Sequence, residues 1–246
     1  MGKFVYKNQE SLNKMHEFYD KTLYALGVPY FEDYFETSFG KTHCLLVGDK
    51  DKPRICTIHG GNGITTLNLK LFLPLLKDFS ILAPDVIGMP GKSEPYRNIS
   101  SRKDEYGLWI NEVLNHYNEE KISFVVPFIK YYSKPSEKTL DAVIETMGGK
   151  GDENWREFFD LMMSSYKMEM KPPTEYTKKE LATFKAPLLI MASPNDIFFP
   201  ADKVFSKAKK IFSGPVTTVE IDSKHLPSDE VMVEVCQRAK EFLLWN

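Results

Sequence analysis

Short β-prone apolar runs alternate with stretches of helical period along most of this 246-residue chain, and that alternation limits its fold more than any other feature. The runs fall at 54–58 (RICTI), 79–83 (FSILA), 121–126 (KISFVV), 187–192 (PLLIMA) and 215–221. Between and after them, residues 67–76, 102–117, 201–212 and 228–244 carry apolar residues at helical spacing, although Pro74 interrupts the first of these. Strands that alternate with helices build a mainly parallel, doubly wound α/β sheet. All five runs are therefore expected as parallel neighbours in one sheet. Upstream, Leu12, Met15, Tyr19, Leu23 and Leu26 make one apolar face of a helix over 10–26, which Pro29 ends. Alternating stretches at 34–37 and 42–47, joined through Gly40, read as a β-hairpin.

The middle of the chain has a different character. Residues 134–185 contain two amphipathic helical segments, roughly 136–147 and 152–166, and a polar linker with Pro172 and Pro173, but no strand pattern. The expected organisation is a single α/β domain over 1–246, with 134–185 inserted as a helical lid above the carboxyl ends of the strands.

Bulk properties remove several function classes. The net charge of −2 and a pI of about 6.2 give no field favouring nucleic acid or an anionic membrane. Three cysteines without close spacing (Cys44, Cys56 and Cys236) argue against a disulfide framework and against a zinc cluster, so no metal is expected. Residues 1–10 lack a signal-peptide apolar region, and no run is long enough to cross a bilayer. The expectation is a cytoplasmic protein without membrane or nucleic-acid partners.

Four segments could carry chemistry. His59-Gly60-Gly61-Asn62-Gly63 directly follows a strand. Glycines there can turn backbone N–H groups toward a substrate oxygen, or serve a strand-to-helix loop that needs φ > 0. The six-residue spacing of a dinucleotide loop fails, because position 66 is threonine. Ala83 to Ser93 contains Gly91-Lys92-Ser93, but position 86 is valine where a phosphate loop needs glycine, and Asp85 is expected to hydrogen-bond its own turn. Asp196 follows the strand at 187–192, and His225 follows the one at 215–221. Each alone reads as a loop residue. In that order on successive strand ends, a carboxylate can orient a histidine that acts as general base.

Together these segments resemble the α/β-hydrolase superfamily, particularly its carboxylesterase-like, lid-bearing members. The residues that carry the resemblance are His59-Gly60-Gly61, then Ala83-Pro84-Asp85 with Gly88, Gly91 and Ser93, then Asp196 with Pro200, and His225. It covers roughly residues 30–126 and 184–246. It implies an eight-stranded sheet, a helical lid, a cofactor-free serine–histidine–aspartate triad, and an apolar ester or acyl compound as the small-molecule ligand. Asp196 would be the triad acid and His225 the base, and the backbone of Gly60, Gly61 and Asn62 would supply half of an oxyanion hole.

The sequence departs from that pattern at one place. In the family, the strand matching KISFVV runs into Gly-x-Ser-x-Gly, the nucleophile elbow. Here it runs into Val126-Pro127-Phe128-Ile129-Lys130-Tyr131, and Gly-x-Ser-x-Gly occurs nowhere in the chain. The expected cause is a contiguous loss of roughly 40–50 residues after 126, the length of an elbow, a helix and a strand. Such a loss leaves an interior gap in the sheet, through which a homo-oligomer can form. Ser123, Ser164 and Ser165 are the alternative hydroxyls, and none is expected on a strand-to-helix turn. Two functions follow: an esterase-type hydrolase, inactive or weakly active, or a non-catalytic relative that binds a small apolar ligand or a protein partner.

Overall fold

The computed structural model describes residues 2–100, 104–127, 153–169 and 176–245. The expected helix over 136–147 and the prolines at 172 and 173 lie outside these residues. The chain divides into two compact units, residues 1–135 with 153–173, and residues 136–152 with 174–246.

The first unit is built on a five-stranded sheet. Its strands are β2 (Tyr30–Thr37), β3 (Gly40–Val47), β4 (Arg54–Thr57), β5 (Ser80–Pro84) and β7 (Ser123–Val125), in the order β2-β3-β5-β4-β7. The hairpin β2-β3 turns at Gly40, whose φ of +127° is glycine territory. β3 runs antiparallel to β5, with Cys44 opposite Pro84, and β5, β4 and β7 are parallel. Every residue of β5 is buried, which is why it reads as an unbroken apolar run. A short ladder joins β1 (Lys3–Phe4) to β6 (Tyr96–Arg97).

Helices cover this sheet. α1 (Gln9–Ala25) begins at Asn8, whose side chain accepts from the Ser11 N–H at 2.8 Å, and buries Leu12, Met15, Phe18, Tyr19 and Leu23. α2 (Thr65–Phe72) stops where Pro74 forces a tighter turn over Leu73–Lys77. α3 (Glu105–His116) places Trp109 and Val113 against Cys44, Cys56 and Leu82, and the Trp109 indole donates to Thr42 Oγ1 at 3.0 Å. α4 (Glu153–Ser165) falls in the expected lid segment. It packs on α1 through Phe158 against Phe18, with ring centroids 5.9 Å apart, and through an ion pair of Lys21 with Glu157.

The second unit holds β8 (Leu188–Ala192), α5 (Ala201–Ile211), β9 (Val216–Glu220) and α6 (Asp229–Trp245). β8 and β9 pair in parallel with Leu188 opposite Val216, and α5 packs on both strands.

The expectation of one sheet therefore needs correction. Three of the five apolar runs are parallel neighbours in one sheet, and the other two pair with each other in a second. The eight-stranded sheet that the resemblance implied is not formed by the described residues. A parallel ladder grows only where another extended strand lies alongside. Among the described residues β7 has such a neighbour in β4 alone, and its residues Ser123 and Phe124 are exposed.

Candidate active site

Asp196 sits in the tight loop that leaves β8. One carboxylate oxygen, Oδ1, accepts from the N–H groups of Phe198 (2.8 Å) and Phe199 (3.0 Å), holding the loop's own backbone. The other, Oδ2, lies 2.9 Å from His225 Nδ1. The residue is thus both a turn cap and a histidine partner. Ser193 ties the two loops together, since its hydroxyl donates to the Ser223 carbonyl and accepts from the Asn195 N–H. The His225 side chain is fully buried and packs edge-on against Phe198 at 4.8 Å. With Nδ1–H given to the carboxylate, Nε2 becomes the basic nitrogen of the ring. Order on successive strand ends pointed to this pair, and the structure brings it together.

The loop after β4 is organised by His59. Its Nδ1–H donates to the Gly60 carbonyl at 3.0 Å, and Nε2 accepts from the Val86 N–H at 3.4 Å. Burial lowers the pKa of this imidazole, in keeping with the neutral tautomer that those bonds require. The Gly63 N–H closes the turn on the Gly60 carbonyl at 2.9 Å. The glycines do not supply the left-handed residue that the sequence suggested. That conformation belongs to Asn62, at φ +58°. Gly63 is needed for close approach, because a Cβ there would lie 2.9 Å from the Gly60 oxygen.

The three expected oxyanion donors differ in what they meet. Asn62 gives its N–H to Met89 Sδ at 3.4 Å, and its side chain clamps the Glu169 backbone through bonds of 3.0 and 2.8 Å. The Gly61 N–H has no hydrogen-bond partner among the described residues. It lines a small cavity with Asn62, Ile64, Asn68, Trp155 and Phe158. Gly60 is not among the residues that line it.

A second acid–histidine pair escaped the sequence reading. Asp85 bonds its own turn as expected, accepting from the Lys92 N–H at 2.7 Å. It also accepts from His43 Nδ1 at 2.8 Å and from the Tyr19 hydroxyl at 3.1 Å. The far nitrogen of His43 meets Glu32 at 3.1 Å, and Lys92 Nζ bridges Glu32 and Asp20 at 2.7 and 2.6 Å. Burial alone would raise the Asp85 pKa, but its bonds to His43 and the Lys92 N–H outweigh that and hold it below the usual carboxylate range. The one visible signal was a polar His43 within the apolar stretch 42–47.

The alternative hydroxyls stand apart from any elbow. Ser164 and Ser165 end α4, where Ser164 donates to the Leu161 carbonyl, and Ser123 lies on β7. Among the described residues no group of three or more His, Cys, Asp or Glu could hold a metal ion. Nor is any helix among them long and apolar enough to cross a membrane.

Comparison with solved structures gives the fold. The naproxen esterase of Bacillus subtilis superposes with a TM-score of 0.75 at 15% identity, over 96% of this chain and 99% of its own. The carboxylesterase CesB (YbfK) of the same organism gives 0.72 at 21%, over 96% and 99%. The chain has the α/β-hydrolase fold. No family model matches it. In sequence the chain is similar to carboxylesterase YbfK, 23% identical over a span of 281 residues that takes in 95% of each protein. Since 95% of 246 residues is about 234, about 47 positions of that span face no residue of this α/β-hydrolase chain.

Proposed function

We propose that this protein is a carboxylesterase-type α/β-hydrolase that keeps the acid and base of the triad without its serine. Asp196 orients His225, and His225 Nε2 is the general base. The backbone of Gly60, Gly61 and Asn62 is assigned to an oxyanion, with Gly61 as the donor that meets no competing acceptor. Residues 134–185 act as the lid. The ligand is a small apolar ester or acyl compound, no cofactor takes part, and the protein works in the cytoplasm. One observation carries the reading: the 2.9 Å contact of His225 Nδ1 with Asp196 Oδ2, made from loops that follow two successive parallel strands.

Acyl transfer needs a hydroxyl or thiol held against the histidine, and a second oxyanion donor from the residue after the nucleophile. The sequence offers neither in an elbow. Hydrolysis of short aryl esters is therefore expected to be negligible, close to the residual 10³- to 10⁴-fold over water that sites without a triad retain. The test is turnover of p-nitrophenyl acetate and butyrate by the wild type and by His225→Ala, with fluorophosphonate labelling. Near-background turnover that His225→Ala lowers further, with no label, supports the proposal. Robust turnover that His225→Ala removes, with a labelled serine peptide, overturns the claim of a missing nucleophile.

The second reading is a non-catalytic relative that binds an apolar ligand. The absence of Gly-x-Ser-x-Gly from the sequence favours it, and the same assay separates the two through weak but His225-dependent turnover.

A further inference from the structure

The loops that carry Asp196 and His225 leave a ladder that ends before either residue. Ala192 stands opposite Glu220 in the last register pair of β8 with β9, and the Ile221 N–H makes one more bond to the Ala192 carbonyl at 3.1 Å. Asp196 lies four residues beyond Ala192, and His225 four residues beyond Ile221. Strand pairing therefore does not by itself fix the distance between the two side chains.

A side chain takes over where the ladder stops. Ser193 is 3% exposed, and its hydroxyl brackets the Ser223 backbone, donating to the carbonyl and accepting from the N–H at 3.4 Å. The same oxygen accepts from the Asn195 N–H at 3.0 Å, so it also shapes its own loop. The Ser193 carbonyl accepts from the Asp196 N–H at 3.3 Å and from the Ala201 N–H at 3.0 Å, which ties that loop to the start of α5. Within the loop, Asp196 is held by the Phe198 and Phe199 N–H groups. What remains to be set is its spacing to the His225 loop. Asn195 Nδ2 reaches Asp222 Oδ1 across the same gap, but at 3.4 Å and open to water. The Ser193 hydroxyl is the stronger crosslink, because its bond to the Ser223 carbonyl is buried and its removal leaves that carbonyl unanswered.

We propose that Ser193 is a positioning residue of the acid–base pair: its hydroxyl sets the separation at which Asp196 Oδ2 meets His225 Nδ1, and through that bond it selects the tautomer of the ring. The proposal rests on the reading of Asp196 and His225 as acid and base. An imidazole without a partner favours the Nε2–H form, which leaves no lone pair on the nitrogen that must act as base. A carboxylate on Nδ1 reverses that preference. A loop shift of about 1 Å is enough to break the 2.9 Å bond on which the choice depends.

The test is the tautomer of His225, read from long-range proton–nitrogen correlation spectra of the full chain with the ring neutral, and assigned by the signals that His225→Ala removes. The wild type is expected in the Nδ1–H form. Ser193→Ala is expected to lose that form for the mixture of a free imidazole, in which Nε2–H prevails, while the His43 and His59 signals stay in place and report an intact fold. A Ser193→Ala chain that is destabilised but keeps Nδ1–H has lost a structural bond only, and overturns the proposal. A wild type in the Nε2–H form overturns the acid–base reading and the proposal with it, so the two failures are distinguishable. One arm needs no variant. The Asn195 amide, held by the Ser193 oxygen, should exchange with solvent at least about tenfold more slowly in the wild type than an open-loop amide. Free exchange overturns the proposal and protection supports it, whether or not Ser193→Ala folds.

Discussion

Among the described residues two acid–histidine pairs have a fully buried ring, one in each compact unit, and they differ in what surrounds it. In the first unit, His43 lies between two carboxylates, Asp85 on Nδ1 and Glu32 on Nε2, with both His43 and Asp85 fully buried. With a carboxylate against each nitrogen, the ring has no nitrogen left to face a substrate. In the second unit, the Asp196 carboxylate is shared between His225 Nδ1 and the loop's own N–H groups. A short carboxylate–imidazole bond therefore does not identify a general base. The two pairs also differ in placement, since His225 lies in the loop after β9 whereas His43 lies within β3.

The comparison breaks most visibly in stability. Asp85→Asn removes the buried carboxylate that accepts from His43, the Tyr19 hydroxyl and the Lys92 N–H, so it should destabilise by about 1.5–3 kcal/mol. Asp196→Asn keeps an oxygen for the Phe198 and Phe199 N–H groups and should cost about 1 kcal/mol or less. Urea midpoints of the two variants check this. Equal losses would mean that the two pairs play the same part.

Acid should act through the first unit, in two stages. His59 has a folded pKa below its ordinary value because it is buried. Its folded form binds fewer protons than the unfolded chain, so stability falls once the pH drops through about 6.5. Asp85 is also depressed, its burial outweighed by His43. Its contribution is fully present above the unfolded value of about 3.9 and is lost as the pH falls through the lower folded value. Unfolding free energies measured from pH 8 to pH 3 should decline in both windows. His59→Asn should flatten the upper window and leave the lower one. A flat profile would show that neither group is bound as the structure has it.

What could be seen in the sequence follows from how far apart the interacting residues lie. The apolar face of α1 was legible because Leu12, Met15, Tyr19 and Leu23 repeat with the helical period, a purely local signal. The strands were legible as runs, but their partners were not, because ladders such as Leu188 with Val216 are chosen by tertiary contact. Asp196 and His225 were legible through chain order. Asp85 and His43 were not, since 42 residues separate them and only the ladder of β3 with β5 brings them together. The glycine loop was legible as a loop, but the sequence could not say which N–H meets a competing acceptor.

That loop supplies the smallest effects and the finest contrast. Gly63→Ala places a Cβ 2.9 Å from the Gly60 carbonyl oxygen and 3.2 Å from His59, so the turn must shift at a cost of about 1–3 kcal/mol. Gly61→Ala places its Cβ where nothing lies within 4 Å, and the structure gives Gly61 no positive φ. Its effect on stability should stay within about 0.5 kcal/mol, the range of a substitution that meets nothing. Thermal melts of the two variants check both numbers. If Gly61→Ala loses stability instead, the turn is held by backbone freedom at Gly61, and the division of labour between Gly61 as donor and Gly63 as close-packing residue is wrong.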